Sequence, residues 1–500
     1  MYFFVSCLLF LLFIWVLAQV GNSIKGGSTT KSCQLPPGPR RIPIFGNLLD
    51  LGDEPHKSLA ELAKTHGPIM SLKLGNLITV VVSSAAMAKE VLQKNDLILS
   101  NRITIDAIQA HQHHEVGLPW IPVSPLWRNL RKVCNLHIFA SQKLDANQSL
   151  RRKKIEQLLS SVQDSYRLGE AVDIGQEAFK ATLNLLSNTV FSIDLADSHS
   201  QRAQQFKKTV RSVLEEAGKP NLADYFPLLR KIDPQGVRRR MAIHFEILLE
   251  LFGKMYDKRV QLQRGQGFAT TNDVLDTLID IIEDKTEELN RRQTLHLFLA
   301  LFVAGTDTTA STLEWAMAEL LHNPNVLLKA RVELEEAIGK GRQVEESDMV
   351  RLPYLEAIIK ETFRMHPPVP LLLPRRAGAD AEICGFTLPE GAQVLVNAWA
   401  IGRDPSIWEK PNCFMPERFL GSEIDVKGRD FELIPFGGGR RICPGLPLAL
   451  RMLHLMLGSL INCFEWKLED GVTPENMNME EKFGLTLQKA IPLRAIPIPA

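Results

Sequence analysis

The stretch Pro435–Ala449, "PFGGGRRICPGLPLA", sets three glycines and two arginines just ahead of one cysteine and a proline. It carries no G-x-G-x-x-G, so it is not a dinucleotide-binding turn, and it lacks the Gly-Lys-Ser/Thr of a phosphate loop. The spacing Phe436-x-x-Gly439-x-Arg441-x-Cys443-x-Gly445 suits a thiolate held at the centre of a flat cofactor. Glycines let backbone come close to a macrocycle, Phe436 packs near the sulfur, and backbone N–H groups soften its charge. Arg441 then answers a cofactor carboxylate. On this reading Cys443 is a ligand and not a nucleophile.

The other cysteines support no competing site. Cys7, Cys33, Cys134, Cys384, Cys413 and Cys463 bring the total to seven, with no C-x-x-C pair. An odd, scattered set is not a disulfide framework and fits a reducing compartment. Zinc wants close ligand pairs, and the nearest cysteines to Cys443 lie 30 residues before and 20 after it. His111, His113 and His114 sit in "HQHHEVG", which is not H-E-x-x-H and reads as a polar loop.

Composition sets the outer bounds. A length of 500 residues allows about three domains without requiring them. Hydrophobic residues at 45% and charged residues at 23% predict a large buried core. A net charge of +1 gives no reason to expect a nucleic-acid partner.

The amino terminus is of another kind. "MYFFVSCLLFLLFIWVLAQV" has no charged side chain over 20 residues, and as a helix it spans about 30 Å, the thickness of a bilayer's hydrocarbon. No cationic stretch precedes it and it is longer than a signal-peptide core, so residues 1–21 read as a retained transmembrane anchor. Lys25, Lys31, Arg40 and Arg41 follow it and place the body in the cytosol, where the Asn147 acceptor stays unglycosylated. Residues 22–47 are a polar linker and a proline-rich hinge, "QLPPGPRRIPIFGN". Residues 48–500 show no repeat or low-complexity break and predict one large domain, mainly α with a minor β-sheet. Among the few β-like runs are "LITVVVS" and "AQVLVNAW".

His296–Asn323 is apolar nearly all round, which predicts a central buried helix. At its middle lies "AGTDTT", where threonine hydroxyls can bond carbonyls one turn earlier and open the ladder into a kink. Glu361 and Arg364 in "KETFRMHPP" share a helix face and can pair. "WEKPNCFMPERFL" supplies Arg418, which could join them and fasten a long irregular segment to that helix.

In this order the four units resemble the cytochrome P-450 family of haem-thiolate monooxygenases, and the resemblance covers essentially the whole chain. It implies the cytochrome P-450 fold on one N-terminal transmembrane helix, haem b as cofactor, and Cys443 as its axial ligand. It implies Glu361, Arg364 and Arg418 as a structural triad, and Asp307 with Thr308 as the acid-alcohol pair beside bound O2. In "PLWRNLRK", Trp127 and Arg131 match positions facing the haem propionates, and Arg375 in "LLLPRRAG" and Arg441 are further propionate candidates. Arg128 and Lys132 read instead as a solvated basic face. Electrons come from NADPH through a reductase, and the place is the endoplasmic reticulum membrane.

"LPPGPRRIPIFGNLLDLG", "VNAWAIGRDPSIW" and "WKLEDGVTPENMNMEEKFGLTLQKA" are similar to the plant microsomal group that hydroxylates monoterpenols such as geraniol and linalool. That group also holds enzymes acting on diterpenes and other small molecules. The family pattern puts a small lipophilic substrate against the Ile103–Trp120 loop, Phe302 and Ala304, Val369–Leu373 and Phe483–Leu487, with the loop histidines ready to meet one hydroxyl. Oxygen-independent isomerases of the same fold tend to alter the distal threonine and cysteine loop, both intact here.

Overall fold

The computed structural model describes residues 34–196, 201–264, 273–284 and 288–499. The expected anchor of residues 1–21 and the linker as far as residue 33 lie outside these. The proline-rich tract that follows is irregular, and it is tied to the body: the Ser71 hydroxyl donates to Pro36 O at 2.6 Å, and buried Asn47 donates its backbone N–H to Lys73 O.

Strands β1 (Ile69–Leu74), β2 (Leu77–Val82), β3 (Asn101–Arg102), β4 (Arg375–Arg376) and β5 (Gln393–Val396) form the main sheet in the order β1-β2-β5-β4-β3. The two β-like runs legible in the sequence are β2 and β5, which pair in parallel from Thr79 opposite Gln393 to Val82 opposite Val396. The short strands β3 and β4 matter most for the site. Their register sets Arg102 opposite Arg375, joining residues far apart in the chain.

Helices make up most of the rest, and five of them frame the site: α1 (Pro125–Val133), α2 (Ile174–Phe191), α3 (Arg291–His322), α4 (Pro353–Met365) and α5 (Leu446–Cys463). Ser124 caps α1 by accepting from Trp127 N, with Pro125 in the first turn where its missing N–H costs nothing. α3 begins with a capping box, Asn290 and Gln293 each accepting from the other's backbone, and ends before Pro324. It is buried along most of its length against α2, α4 and α5, as its nearly unbroken apolar sequence predicts.

The threonines of α3 do bond backward: Thr306 to Phe302 O at 2.8 Å, Thr308 to Ala304 O at 2.8 Å, and Thr309 to Gly305 O at 3.3 Å. Yet the helix runs unbroken through them for 32 residues. Dense packing on several sides holds the ladder closed where an isolated helix would bend. Among the described residues α5 is the one helix long and apolar enough to cross a membrane, and it is a core helix, buried from Met452 to Asn462.

Candidate active site

Between α3 and the Cys443 loop lies a cavity lined mainly by apolar side chains. An apolar, concave lining with a few polar groups converging on it is the usual form of a small-molecule site. Ala300, Leu301, Ala304, Gly305 and Thr308 of α3 form one wall, and Phe436, Gly437, Cys443 and Leu448 form the opposite one. Val369, Leu372 and Leu373 close a third side with Leu118 and Pro119.

The loop's glycines now have separate reasons. Gly437 and Gly439 both have positive φ, at 70° and 65°. A side chain on Gly439 would sit 2.0 Å from Leu92 O, so the close approach there is to the protein's own backbone and not to a cofactor. The turn brings Cys443 N to Phe436 O at 3.0 Å and puts the sulfur just ahead of α5. Burial pushes the Cys443 thiol up, opposed by the N–H groups of Gly445 and Leu446 and by Arg131. Those donors, at a helix N-terminus, stabilise a thiolate. Phe436 packs edge-on against Phe363, with ring centres 5.1 Å apart.

Along the cavity's rim stand Trp127, Arg131, Arg375 and Arg441, and with them Arg102. Arg441 lies over the Trp127 ring at 4.8 Å and donates to Ser100 O, Leu118 O and Ile121 O, tethering the 100–121 loop. Arg375 reaches Asp96 at 3.2 Å, Leu99 O and Gly438 O. Arg102 donates to Pro119 O and Leu373 O. Burial, with Arg375 and Arg441 nearby, pulls the Arg102 pKa well below its usual value, and burial takes Arg441 down to about 10. Four guanidinium groups, those of Arg375 and Arg441 buried and those of Arg102 and Arg131 half-buried, with Asp96 as the carboxylate at hand make a site that lacks negative charge. A cofactor bearing carboxylates supplies it, so the residues present fit haem. Arg102 carried no motif in the sequence; only strand register sets it beside Arg375.

Glu361, Arg364 and Arg418 come together away from the cavity. Arg364 grips Glu361 through two bonds of 2.7 and 2.8 Å, and Arg418 reaches the same carboxylate at 3.0 Å. Arg364 also donates to Gly402 O, Pro411 O and Cys413 O, so the pair fastens the irregular segment before Arg418 to α4.

Thr308 lines the cavity, but its neighbour Asp307 does not. Asp307 is buried on another face of α3, where Gln488 Nε2 donates to both carboxylate oxygens at 3.0 Å. Burial raises the Asp307 pKa, and the Thr486 hydroxyl and the Gln488 amide oppose that shift.

Several expected substrate contacts are corrected. Phe302 is fully buried in a ring cluster with Phe191, Phe206 and Phe252, because it points towards α2 and not into the cavity. Residues 483–487 do not line the cavity; Leu487 is buried behind α3, its carbonyl accepting from Ser311 and Trp315. The loop histidines are also absent from the walls. His113 is buried, its Nδ1 2.8 Å from His296 Nδ1 on α3, and His111 bonds Ala242 O. Arg128 and Lys132 are exposed, as the basic-face reading expects.

The cytochrome P450 family profile matches residues 36–493. A geraniol 8-hydroxylase of Swertia mussotii is 57% identical over 94% of each chain, and one of Catharanthus roseus is 56% identical over 93% of this chain and 94% of its own. A drimenol monooxygenase of Persicaria hydropiper is 53% identical over 97% and 96%. The chain belongs to the cytochrome P450 family. It is a monooxygenase with haem b as cofactor, taking electrons from NADPH through a reductase.

Proposed function

We propose that this chain is a membrane-anchored monooxygenase that hydroxylates a monoterpenol of the geraniol or linalool type at a terminal allylic methyl. The apolar cavity with Thr308 on one wall and Cys443 on the other carries the reading, together with 57% identity to a geraniol 8-hydroxylase over nearly the whole chain. An allylic C–H bond is weaker than that of an ordinary methyl, which favours that position.

In this reading Cys443 binds the haem iron, and Trp127, Arg131, Arg375, Arg441 and Arg102 meet the carboxylates. Glu361, Arg364 and Arg418 keep the supporting segment in place. Bound haem supplies the reductive activation of O2 and the transfer of one oxygen atom to carbon. The protein's share is position and protons. Leu118, Ala300, Ala304, Val369, Leu372 and Leu373 orient the guest and exclude water. Thr308 Oγ1 would hold a proton at the cavity wall, and Asp307 would resupply it from bulk water.

The body faces the cytosol at the endoplasmic reticulum, held by residues 1–21. Exposed Leu228 and Ile232 at 79% and 69%, with Phe45 edge-on to nearby Phe226, support a further apolar contact with the membrane.

The test is reconstitution with a reductase and NADPH, followed by a panel of terpenols. Geraniol, linalool or nerol should displace the haem water in a spectral titration and yield hydroxylated product. Failure of all three, with success of a bulkier terpenoid, would select the alternative, the same chemistry on a diterpene or another plant specialised metabolite; a relative 53% identical is a drimenol monooxygenase.

A further inference from the structure

Three side chains on one stripe of α3, Asp307, Ser311 and Trp315, are each one turn apart and all bond the same short segment of a C-terminal hairpin, in which Glu481–Lys482 pairs antiparallel with Gln488–Lys489. Ser311 Oγ donates to Leu487 O at 2.8 Å, and Trp315 Nε1 donates to the same carbonyl at 3.2 Å. Leu487 N in turn donates to Pro368 O. The segment is therefore fixed along the helix, and the side chain that follows, Gln488, is delivered onto Asp307. Its amide nitrogen lies 3.0 Å from each carboxylate oxygen.

The partner's chemistry is informative. A buried carboxylate would be held ionised by a cation; here a neutral amide takes that place. The other groups facing Asp307 are few. Arg211 and Glu215, exposed on the helix Gln201–Gly218, act on it from the solvent side with opposite signs. The Thr486 hydroxyl is buried beside it without a hydrogen bond of good geometry, and like the Gln488 amide it favours the charged form. An amide stabilises the carboxylate less than a cation does, so the acid stays ready to take a proton while being turned from the cavity. Burial acts in the same direction.

We infer that Gln488 is a positioning residue for proton delivery: it parks the Asp307 carboxyl on the hairpin side, with Thr486 it sets the proton affinity there, and delivery to Thr308 proceeds when that bond exchanges. This rests on the reading of Asp307 as the proton source.

The first readout uses the resting ferric holoenzyme and needs no turnover. The carboxylic acid infrared band of Asp307, identified by its loss in Asp307→Asn, is titrated in Gln488→Leu and Gln488→Lys. Without the amide, Gln488→Leu should raise the midpoint, since the charged form loses its donors. A cation in Gln488→Lys should lower it. The expected displacement is about one pH unit each way, a tenfold change in proton affinity. Should the leucine variant fail to load haem, Gln488→Glu should shift the midpoint upward by sharing a proton with Asp307. In parallel, turnover at neutral pH should slow several-fold in Gln488→Lys, as in Asp307→Asn, with the ratio of product to NADPH kept. Midpoints that stay in place, or move the same way in the leucine and lysine variants, overturn the role of Gln488. Unchanged turnover in Asp307→Asn overturns instead the reading of Asp307 on which it rests.

Discussion

Arg364 closes on Glu361 through two hydrogen bonds of 2.7 and 2.8 Å with both side chains fully buried, and Arg418 adds a third bond to the same carboxylate. Removing one partner leaves the others charged in a dry interior, at a cost of about 3–5 kcal/mol. That is a large part of the roughly 5–15 kcal/mol by which domains are stable. Glu361→Gln should therefore yield little haem-loaded protein and a Tm several degrees lower. A Glu361→Gln protein with normal haem content and Tm would show that backbone carbonyls alone hold the segment.

Cys443→Ser should abolish the thiolate-type absorbance of the reduced carbon monoxide complex and all turnover. A hydroxyl does not ionise at neutral pH even beside the N–H groups of Gly445 and Leu446. Retention of that absorbance would move the ligand elsewhere.

Thr308→Ala separates packing from proton supply. If the hydroxyl serves only the helix through Ala304 O, the variant should lose some stability and keep its ratio of product to NADPH. As a proton holder its loss should leave NADPH use running while product falls and hydrogen peroxide rises. Asp307→Asn should instead slow the whole cycle, with little change in substrate affinity for either variant.

His113 and His296 make stability depend on pH. Burial holds their pKa values down, to about 3 and about 4, so both are neutral when folded near neutrality. The unfolded chain takes up protons near the ordinary value of about 6.5, so it binds more protons than the folded chain below that pH. Stability is full above about 6.5 and is lost as pH falls towards the folded values, by about 2 kcal/mol per ring at pH 5. Thermal unfolding between pH 7 and 5 should show this slope, and a His113→Phe, His296→Leu variant should flatten it.

Deleting residues 1–21 should release a folded, haem-loaded body that still binds substrate, because an anchor contributes location and not core. The tract from Gln34 onward, whose carbonyl accepts from Thr387 N, is kept in that truncation. Vesicle flotation should still retain part of it through Leu228, Ile232 and Phe45. Loss of haem on truncation would place the boundary wrongly.

The chemistry was local, and so it was written in order along the chain. The cysteine loop, the Glu-x-x-Arg and the buried helix with its threonines each depend on residues within a few positions of one another, where spacing and backbone geometry fix who meets whom. Their neighbours across the fold were not so written. Arg102 meets Arg375 through sheet register, and Gln488 reaches Asp307 because Ser311 and Trp315 hold the hairpin against α3. The same limit explains the misplaced contacts: His113 and Phe302 have the right composition for a pocket wall, but helix phase turned them into the core. A pattern along the chain gives residue type and local face, whereas the partner across a cavity depends on how whole elements pack, and that energy is spread over many buried contacts that no short stretch contains.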